Sequence, residues 1–222
     1  MSAEFNPIHE PKIYEGIEAQ QRLAELGVPL EVVREALAAG DIAARQADEY
    51  HPVTAAGTMR WFETVRMLRQ GLAGRGWATR EIRNSPRSFS PAGDTAIVAV
   101  SGDWRTGNRE LEPKTANPRG RASSRAVEVN QQLEFNLDIV GAVLSDMSAE
   151  RDGDVRTWFL LYYRSETAGL RAEVSLPVRV HDRGVVDKWS DRIILDPLTF
   201  DPATVIPQDA GVNDDVEFDI EA

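Results

Sequence analysis

Three charged residues near the middle of the chain have a spacing that could hold a metal ion. Asp103 follows a candidate strand, and the run Glu112-Pro113-Lys114 has the E-x-K spacing of metal-dependent nucleases. Two carboxylates would bind Mg²⁺ while the lysine would stabilise an attacking water or a phosphate. Pro113 argues against this hypothesis, because E-x-K should lie on a strand and proline donates no hydrogen bond to a sheet. Solvated loop charges are the competing interpretation.

A basic loop predicted over residues 101–125 is the second feature that could bind a ligand. Arginine side chains bind phosphate oxygens in pairs, and the small residues of the loop let backbone N–H groups approach a ligand. The indole of Trp104 could stack on a base. Loops of this length are uncommon in compact domains unless they are functional or disordered. The predicted binding surface consists of Trp104, Arg105, Arg109, Lys114, Arg119, Arg121 and Arg125, with Arg66, Arg69, Arg80, Arg83 and Arg87 as a possible extension.

Charge is distributed unevenly along the 222 residues, whose net charge is −11. Residues 60–125 hold 13 basic and 6 acidic side chains, whereas the segments on either side are both acidic. Such asymmetry has two interpretations: the basic segment meets an anionic partner, or the acidic flanks of the same chain neutralise it. An acidic body would also repel a polyanion beyond the basic patch, which favours a protein partner over nucleic acid.

Several functional classes are excluded or disfavoured by what the sequence lacks. The absence of cysteine excludes disulfides, thiolate zinc sites and a cysteine nucleophile, and it fits a cytoplasmic setting. The histidines, His9, His51 and His181, are scattered, and no phosphate-binding, dinucleotide-binding or hydrolase motif is present. We therefore predict no cofactor and favour a non-enzymatic protein. The N-terminal residues do not resemble a secretion signal, and no apolar run is long enough to span a membrane.

Helices are predicted in the first third of the chain from apolar residues spaced three and four apart. The two N-terminal helices would form a hairpin joined by Gly27-Val28-Pro29, with Gly40 closing the second and Asp41 as the N-cap of the third segment. A DNA-binding helix-turn-helix is disfavoured, because the second helix would push carboxylates toward phosphates. The predicted helical segments are 10–26, 30–39, 41–50 and 54–76, with a further helix over 122–135 after the loop.

Strands are predicted where β-branched and aromatic residues form short runs between turn signals. These segments are 79–83, 87–89, 95–100, 155–163, 170–176 (with 178–181 as an extension) and 185–195. The predicted fold class is α+β, with N-terminal helices packed on one face of a mostly antiparallel sheet. The predicted divisions are an arm and helical hairpin over 1–50, a core domain over 51–200, and an acidic tail over 201–222.

A family resemblance is carried by short motifs in the central part of the chain. The motifs are His51-Pro52, Gly57, Trp61, Glu63-Thr64-Val65, Leu68-Arg69, Gly76-Trp77, Ala96-Ile97-Val98-Ala99-Val100-Ser101-Gly102-Asp103, Thr106-Gly107, Pro113-Lys114-Thr115 and Ala126-Val127-Glu128-Val129-Asn130. They resemble accessory proteins of unknown function from bacterial plasmids and integrated genomic islands, over roughly residues 20–200. The resemblance implies a bacterial origin and a mobile-element setting, and it transfers no catalytic residue.

These observations lead to three functional hypotheses. The first is a non-enzymatic accessory or adaptor protein of a bacterial mobile element or defence-related system, which binds another protein through the 101–125 loop. The second is a nucleic-acid-binding module that uses the same arginines. The third is a Mg²⁺-dependent nuclease. The sequence leaves the identity of the partner and the oligomeric state open.

Overall fold

Seven strands and three helices organise the part of the chain that the computed structural model describes, namely residues 10–82, 85–116, 127, 155–165, 169–181 and 184–198. The helices are α1 (Gly16–Glu25), α2 (Leu30–Ala44) and α3 (Ala55–Ala73). The strands are β1 (Lys12–Tyr14), β2 (Ala78–Ile82), β3 (Ser85–Phe89), β4 (Thr95–Ser101), β5 (Arg156–Ser165), β6 (Gly169–Val180) and β7 (Val186–Leu198).

The strands form one mixed sheet in the order β1-β7-β6-β5-β4-β3-β2. The β1–β7 and β4–β5 pairs are parallel, and the other four neighbouring pairs are antiparallel. This confirms the predicted α+β class in its coarse form. The parallel β4–β5 pair has a physical consequence, because parallel neighbours need a long crossover connection, and here the loop after β4 begins that crossover.

Alternation along the central strands gives the sheet two buried faces. In β5, Trp158, Leu160 and Tyr162 pack with residues of all three helices in the main core. The intervening Phe159 and Leu161 belong to a second apolar cluster, which also contains Trp189 of β7. A strand that buries side chains on both sides reads as a continuous apolar run, as β5 does. The helices therefore cover one face, and other parts of the chain cover the opposite face.

The N-terminal part of the chain corrects the predicted start of the first helix. A helix was predicted from residue 10, but Lys12–Tyr14 forms an edge strand that pairs in parallel with β7, and the helix begins only at Gly16. Gly16 adopts φ +54, a left-handed conformation that separates the two elements. The phenol of Tyr14 donates a hydrogen bond to Asp191 at 3.2 Å, so tertiary contacts override the local helical pattern.

Helix α2 corrects a further boundary. Gly40 was predicted to end this helix and Asp41 to cap another, yet α2 continues through both residues to Ala44. Gly40 faces Thr64 and the backbone of Arg60 on α3, so its small size serves the close approach of two helices. A glycine that permits close packing was thus mistaken for a helix end.

The predicted strands agree with the structure except at their ends. β3 begins at Ser85, and β6 runs through Pro177 to Val180, with register shifts around Pro177 where proline cannot donate to the sheet. Within the described ranges, no helix combines the length and apolar character that crossing a membrane requires. Several predictions fall outside the described residues: the arm over 1–9, the acidic tail over 201–222, and most of the predicted helix over 122–135, of which Val127 is helical and buried.

Candidate functional site

The chain leaves β4 and returns to its end through a loop that we call the β4 loop, defined as residues 102–116. The Asp103 N–H donates to the Lys114 carbonyl at 2.8 Å, and the Ala116 N–H donates to the Ser101 carbonyl at 2.9 Å. The two ends of the excursion are therefore hydrogen-bonded to each other. This part of the predicted 101–125 loop is an ordered, closed structure.

The carboxylate of Asp103 organises the start of the β4 loop. One oxygen accepts the backbone N–H groups of Arg105 and Lys114, each at 3.1 Å. The other accepts the Arg105 guanidinium at 2.8 Å. Every one of these contacts lies within the loop itself, so Asp103 acts as a structural acceptor between its two ends.

A buried ion pair beneath the β4 loop attaches it to the sheet. Glu173 of β6 and Arg192 of β7 are 0% and 1% exposed, and two guanidinium nitrogens of Arg192 donate to Glu173 at 2.6 and 3.1 Å. The same guanidinium donates to the carbonyls of Leu111 and Asn108 at 3.0 and 2.9 Å. The Gly107 N–H completes the arrangement by donating to Glu173 at 3.0 Å. Charge-assisted hydrogen bonds of this kind are stronger than neutral ones.

Two further contacts hold the returning half of the loop. The Trp189 indole donates to the Pro113 carbonyl at 2.9 Å, and Thr115 exchanges hydrogen bonds with the backbone of Val186. Gly107, with φ +70, packs closely against β6, because a Cβ at this position would come 3.1 Å from the Cβ of Arg171. The loop is thereby fixed on the sheet face opposite the helices.

Trp104 is the aromatic side chain that this fixed loop presents. It is 52% exposed, and the guanidinium of Arg105 lies 4.8 Å from the centroid of the indole. Arg171 of β6 donates to the backbone carbonyl of Trp104 and also approaches the ring of Tyr163 at 5.4 Å. Arg171 thus holds the backbone of Trp104 and Arg105 contacts its indole, while about half of the side chain stays accessible to solvent.

The other predicted loop cations differ in their surroundings. Arg109 pairs with Glu15 at 2.5 Å, and this hydrogen bond and the charge of Glu15 raise the pKa of Arg109. Arg105 pairs with Asp103, as described, and Lys114 is exposed. Arg119, Arg121 and Arg125 lie outside the described residues. The described arginines of the loop are therefore paired with carboxylates of the same chain.

The proposed extension of the surface lies elsewhere on the molecule. Arg66 pairs with Glu63, which raises the pKa of Arg66 and lowers that of Glu63, and Arg69 pairs with Glu81 at 2.7 Å. Both arginines line an open apolar depression of about 420 Å³ between α3 and β2. Of the remaining members, Arg80 lies over the ring of Phe89, Arg87 is buried at 5% exposure, and Arg83 is outside the described residues.

These two groups of arginines do not form one surface. Arg109 contacts Glu15, immediately after β1, whereas Arg69 donates to the Arg80 carbonyl on β2. Strands β1 and β2 are the opposite edges of the sheet, six strand spacings or about 29 Å apart. Arg87 was also predicted as a possible part of the surface, but its side chain is buried in β3 and cannot contact a partner there.

The two carboxylates that were proposed to bind a metal ion are paired with basic side chains of the same chain. Glu112 pairs with Lys188 at 2.5 Å, and Asp103 is engaged with Arg105. Among the residues that the structure describes, no three His, Asp or Glu side chains form a group that could hold a metal ion. The geometry thus offers no support for the nuclease hypothesis.

Comparisons with protein-family models, curated proteins and solved structures give no match to this chain. The most consequential residues of the site, Glu173 and Arg192, were not singled out by sequence reasoning. Glu173 alternates with apolar neighbours, and Arg192 follows the polar pair Ser190-Asp191, so both patterns predict a solvent-facing side chain when only one face of a sheet is buried. The available signal was the long loop, because a loop docked on a sheet has backbone groups that need partners beneath it.

Proposed function

We propose that this protein is a non-enzymatic accessory or adaptor protein that binds another protein through the β4 loop, with Trp104 as the anchor. The observation that carries the proposal is a half-exposed tryptophan on a loop whose backbone is fixed by buried charges. Tryptophan and arginine are enriched among the residues that dominate binding energy at protein interfaces. A surface that is ordered before binding loses less conformational entropy when a partner arrives.

The pairing of the arginines favours a protein partner over nucleic acid. Phosphate contacts by unpaired cations supply most of the affinity of nucleic-acid-binding proteins. Arg105 and Arg109 already donate to Asp103 and Glu15, and the chain as a whole carries a net charge of −11. A polyanion would have to displace these carboxylates and approach an acidic body. The bacterial mobile-element or defence-related setting rests on the family resemblance and is part of the same proposal.

Trp104→Ala is expected to weaken capture of the partner by about 30-fold or more, because truncation of a central aromatic anchor costs at least about 2 kcal/mol of binding. The measurement uses the tagged full chain as bait in lysate of the organism that encodes it, with captured proteins quantified by mass spectrometry. Phe62→Ala is the matched control, since Phe62 is an aromatic residue of similar exposure on α3. The proposal fails if wild type and Trp104→Ala capture the same proteins in equal amounts, or if only the free chain is recovered.

A gel shift at two salt concentrations separates the nucleic-acid alternative from the protein-binding function. We expect no complex with single- or double-stranded DNA or RNA, even at low salt. A complex whose affinity falls steeply with salt would instead support nucleic-acid binding, since the slope reports how many phosphates are neutralised.

A further inference from the structure

One edge of the sheet has room for a further strand. Among the described strands, β2 ends the sheet on the side away from β1, and its neighbour there is β3. Four of the five residues of β2 are exposed. An edge strand presents backbone N–H and C=O groups with which another extended segment can pair. Arg69 of α3 already donates to the Arg80 carbonyl at 3.1 Å, so this edge can be reached from the side of the helices.

The open depression between α3 and β2 lies beside this edge. Val65, Ala73 and Thr79 are among the residues that line it, and its volume of about 420 Å³ is that of a small binding pocket. Successive side chains of a strand point to opposite faces of the sheet. A strand that paired with β2 would therefore place every second side chain in the depression.

The two faces of this edge differ in chemistry. Thr79 lines the depression and Glu81 pairs with Arg69 at 2.7 Å, so both side chains face the helices. Arg80, between them, points to the opposite face, where its guanidinium lies 5.0 Å from the centroid of the Phe89 ring. A segment that fits this edge therefore has apolar side chains on one face and acidic side chains on the other.

The C-terminal part of the chain contains a segment with that pattern. Residues 216–221 read Val-Glu-Phe-Asp-Ile-Glu, so apolar and acidic side chains alternate, as in a strand with one buried face. This segment lies outside the described residues. β7 ends at Leu198, five strand spacings or about 24 Å from β2. The connecting residues 199–215 can span about 56 Å when extended, which is enough to reach the edge.

We propose that residues 216–221 bind the β2 edge of the same chain as a further strand. Val216, Phe218 and Ile220 then lie in the depression. The carboxylates that alternate with them lie on the same face as Arg80. Hydrogen bonds to the backbone of β2 supply affinity, and the alternating side chains supply specificity. This contact closes the edge to strands of other molecules, and it does not depend on the proposed function of the β4 loop.

Hydrogen exchange of the full chain, followed by mass spectrometry, tests the proposal. We expect the amides of residues 216–221 to exchange about tenfold or more slowly than in a free peptide of the same sequence, because pairing with β2 protects them. Ala73→Glu should remove this protection, since it places a carboxylate and added bulk at the depression. Ala24→Glu is the matched control, because Ala24 is likewise an exposed alanine near the C-terminal end of a helix. Unprotected amides in the wild type, or protection that survives Ala73→Glu, would overturn the proposal.

The same measurement examines the acidic face of the segment. Arg80→Gln should reduce the protection of residues 216–221 and weaken its dependence on salt, because exposed charges are screened by ions. Arg34→Gln is the matched control, since it removes a half-exposed arginine of α2 that lies 3.8 Å from Asp196. Protection that is unchanged in Arg80→Gln would contradict the predicted orientation of the segment.

Two further outcomes identify a different occupant of the edge. Slow exchange in β2 together with fast exchange in residues 216–221 would show that another segment covers β2. Protection of residues 216–221 that increases with protein concentration would show that they bind a second copy of the chain. Either result would overturn the proposal.

Discussion

Replacing Arg192 with methionine is expected to lower the free energy of unfolding by about 3–5 kcal/mol, because it leaves the Glu173 carboxylate buried without its cation. It also leaves the carbonyls of Asn108 and Leu111 without the donor that they share. Denaturant unfolding of the full chain measures the change. Arg66→Met is the matched control: its ion pair with Glu63 is exposed, so its loss should change stability far less than the loss of the buried pair. A loss in Arg192→Met no greater than that in the control would contradict the anchoring role.

The same substitution should also release the β4 loop from the sheet. Trypsin cleaves after arginine and lysine, and Arg105, Arg109 and Lys114 lie within the loop. We expect cleavage at these positions to be faster in Arg192→Met than in Arg66→Met at equal folded fraction. The double variant Arg192→Met/Glu173→Leu removes the unpaired charge and should recover part of the stability. It should not restore protection from trypsin, because the loop backbone still lacks its partners. If Arg192→Met does not fold, Arg192→Lys is measured in its place, because lysine keeps the positive charge and loses only part of the hydrogen bonding.

Gly40→Ala is expected to destabilise the protein by about 1–3 kcal/mol, although alanine is the better helix former by about 1 kcal/mol. A Cβ at this position would lie 2.1 Å from the Thr64 hydroxyl and 2.8 Å from the Arg60 carbonyl, both on α3. The carbonyl belongs to the backbone, so the two helices would have to separate. Because α2 and α3 share the main core, that separation would expose apolar surface.

Gly57→Ala is the matched control for this prediction. Gly57 lies in α3 with nothing within 4 Å of the position of a new Cβ, so alanine there should stabilise the protein by up to about 1 kcal/mol. Thermal or denaturant unfolding of the two variants gives the comparison. Opposite signs support close helix packing at Gly40, and stabilisation by both substitutions would contradict it.

Local patterns could predict the elements in which the spacing of apolar residues matches the burial of their side chains. β4 and β5 were recognisable because both faces are buried, which makes them continuously apolar. α3 was recognisable from apolar residues at helical spacing. The α2 boundary was missed because a local reading treats Gly40 as a break, whereas its role depends on α3, some twenty residues further along the chain. β1 was missed because the strand that pairs with it, β7, lies at the other end of the described chain.

The sequence predicted where the candidate site lies in the chain, but it predicted less about which residues interact there. The loop after β4 and its exposed tryptophan follow from composition and turn signals. The sequence allowed two interpretations of the loop arginines, of which pairing within the chain was one. Their partners, Asp103 for Arg105 and Glu15 for Arg109, depend on which acidic residues fold nearby. The buried pair of Glu173 and Arg192 depends on strand register, which alternation alone does not determine when both faces of a sheet are covered.

The parallel pairing of β1 with β7 has a consequence for synthesis of the protein on the ribosome. Lys12 lies opposite Asp191 in the sheet, so the first described strand cannot join its neighbour until nearly the whole described chain has been translated. At elongation rates of about 5–20 residues per second, this delay is on the order of ten to forty seconds. During that interval β1 has no β7 to pair with, so the sheet acquires this edge strand only after β7 has been synthesised.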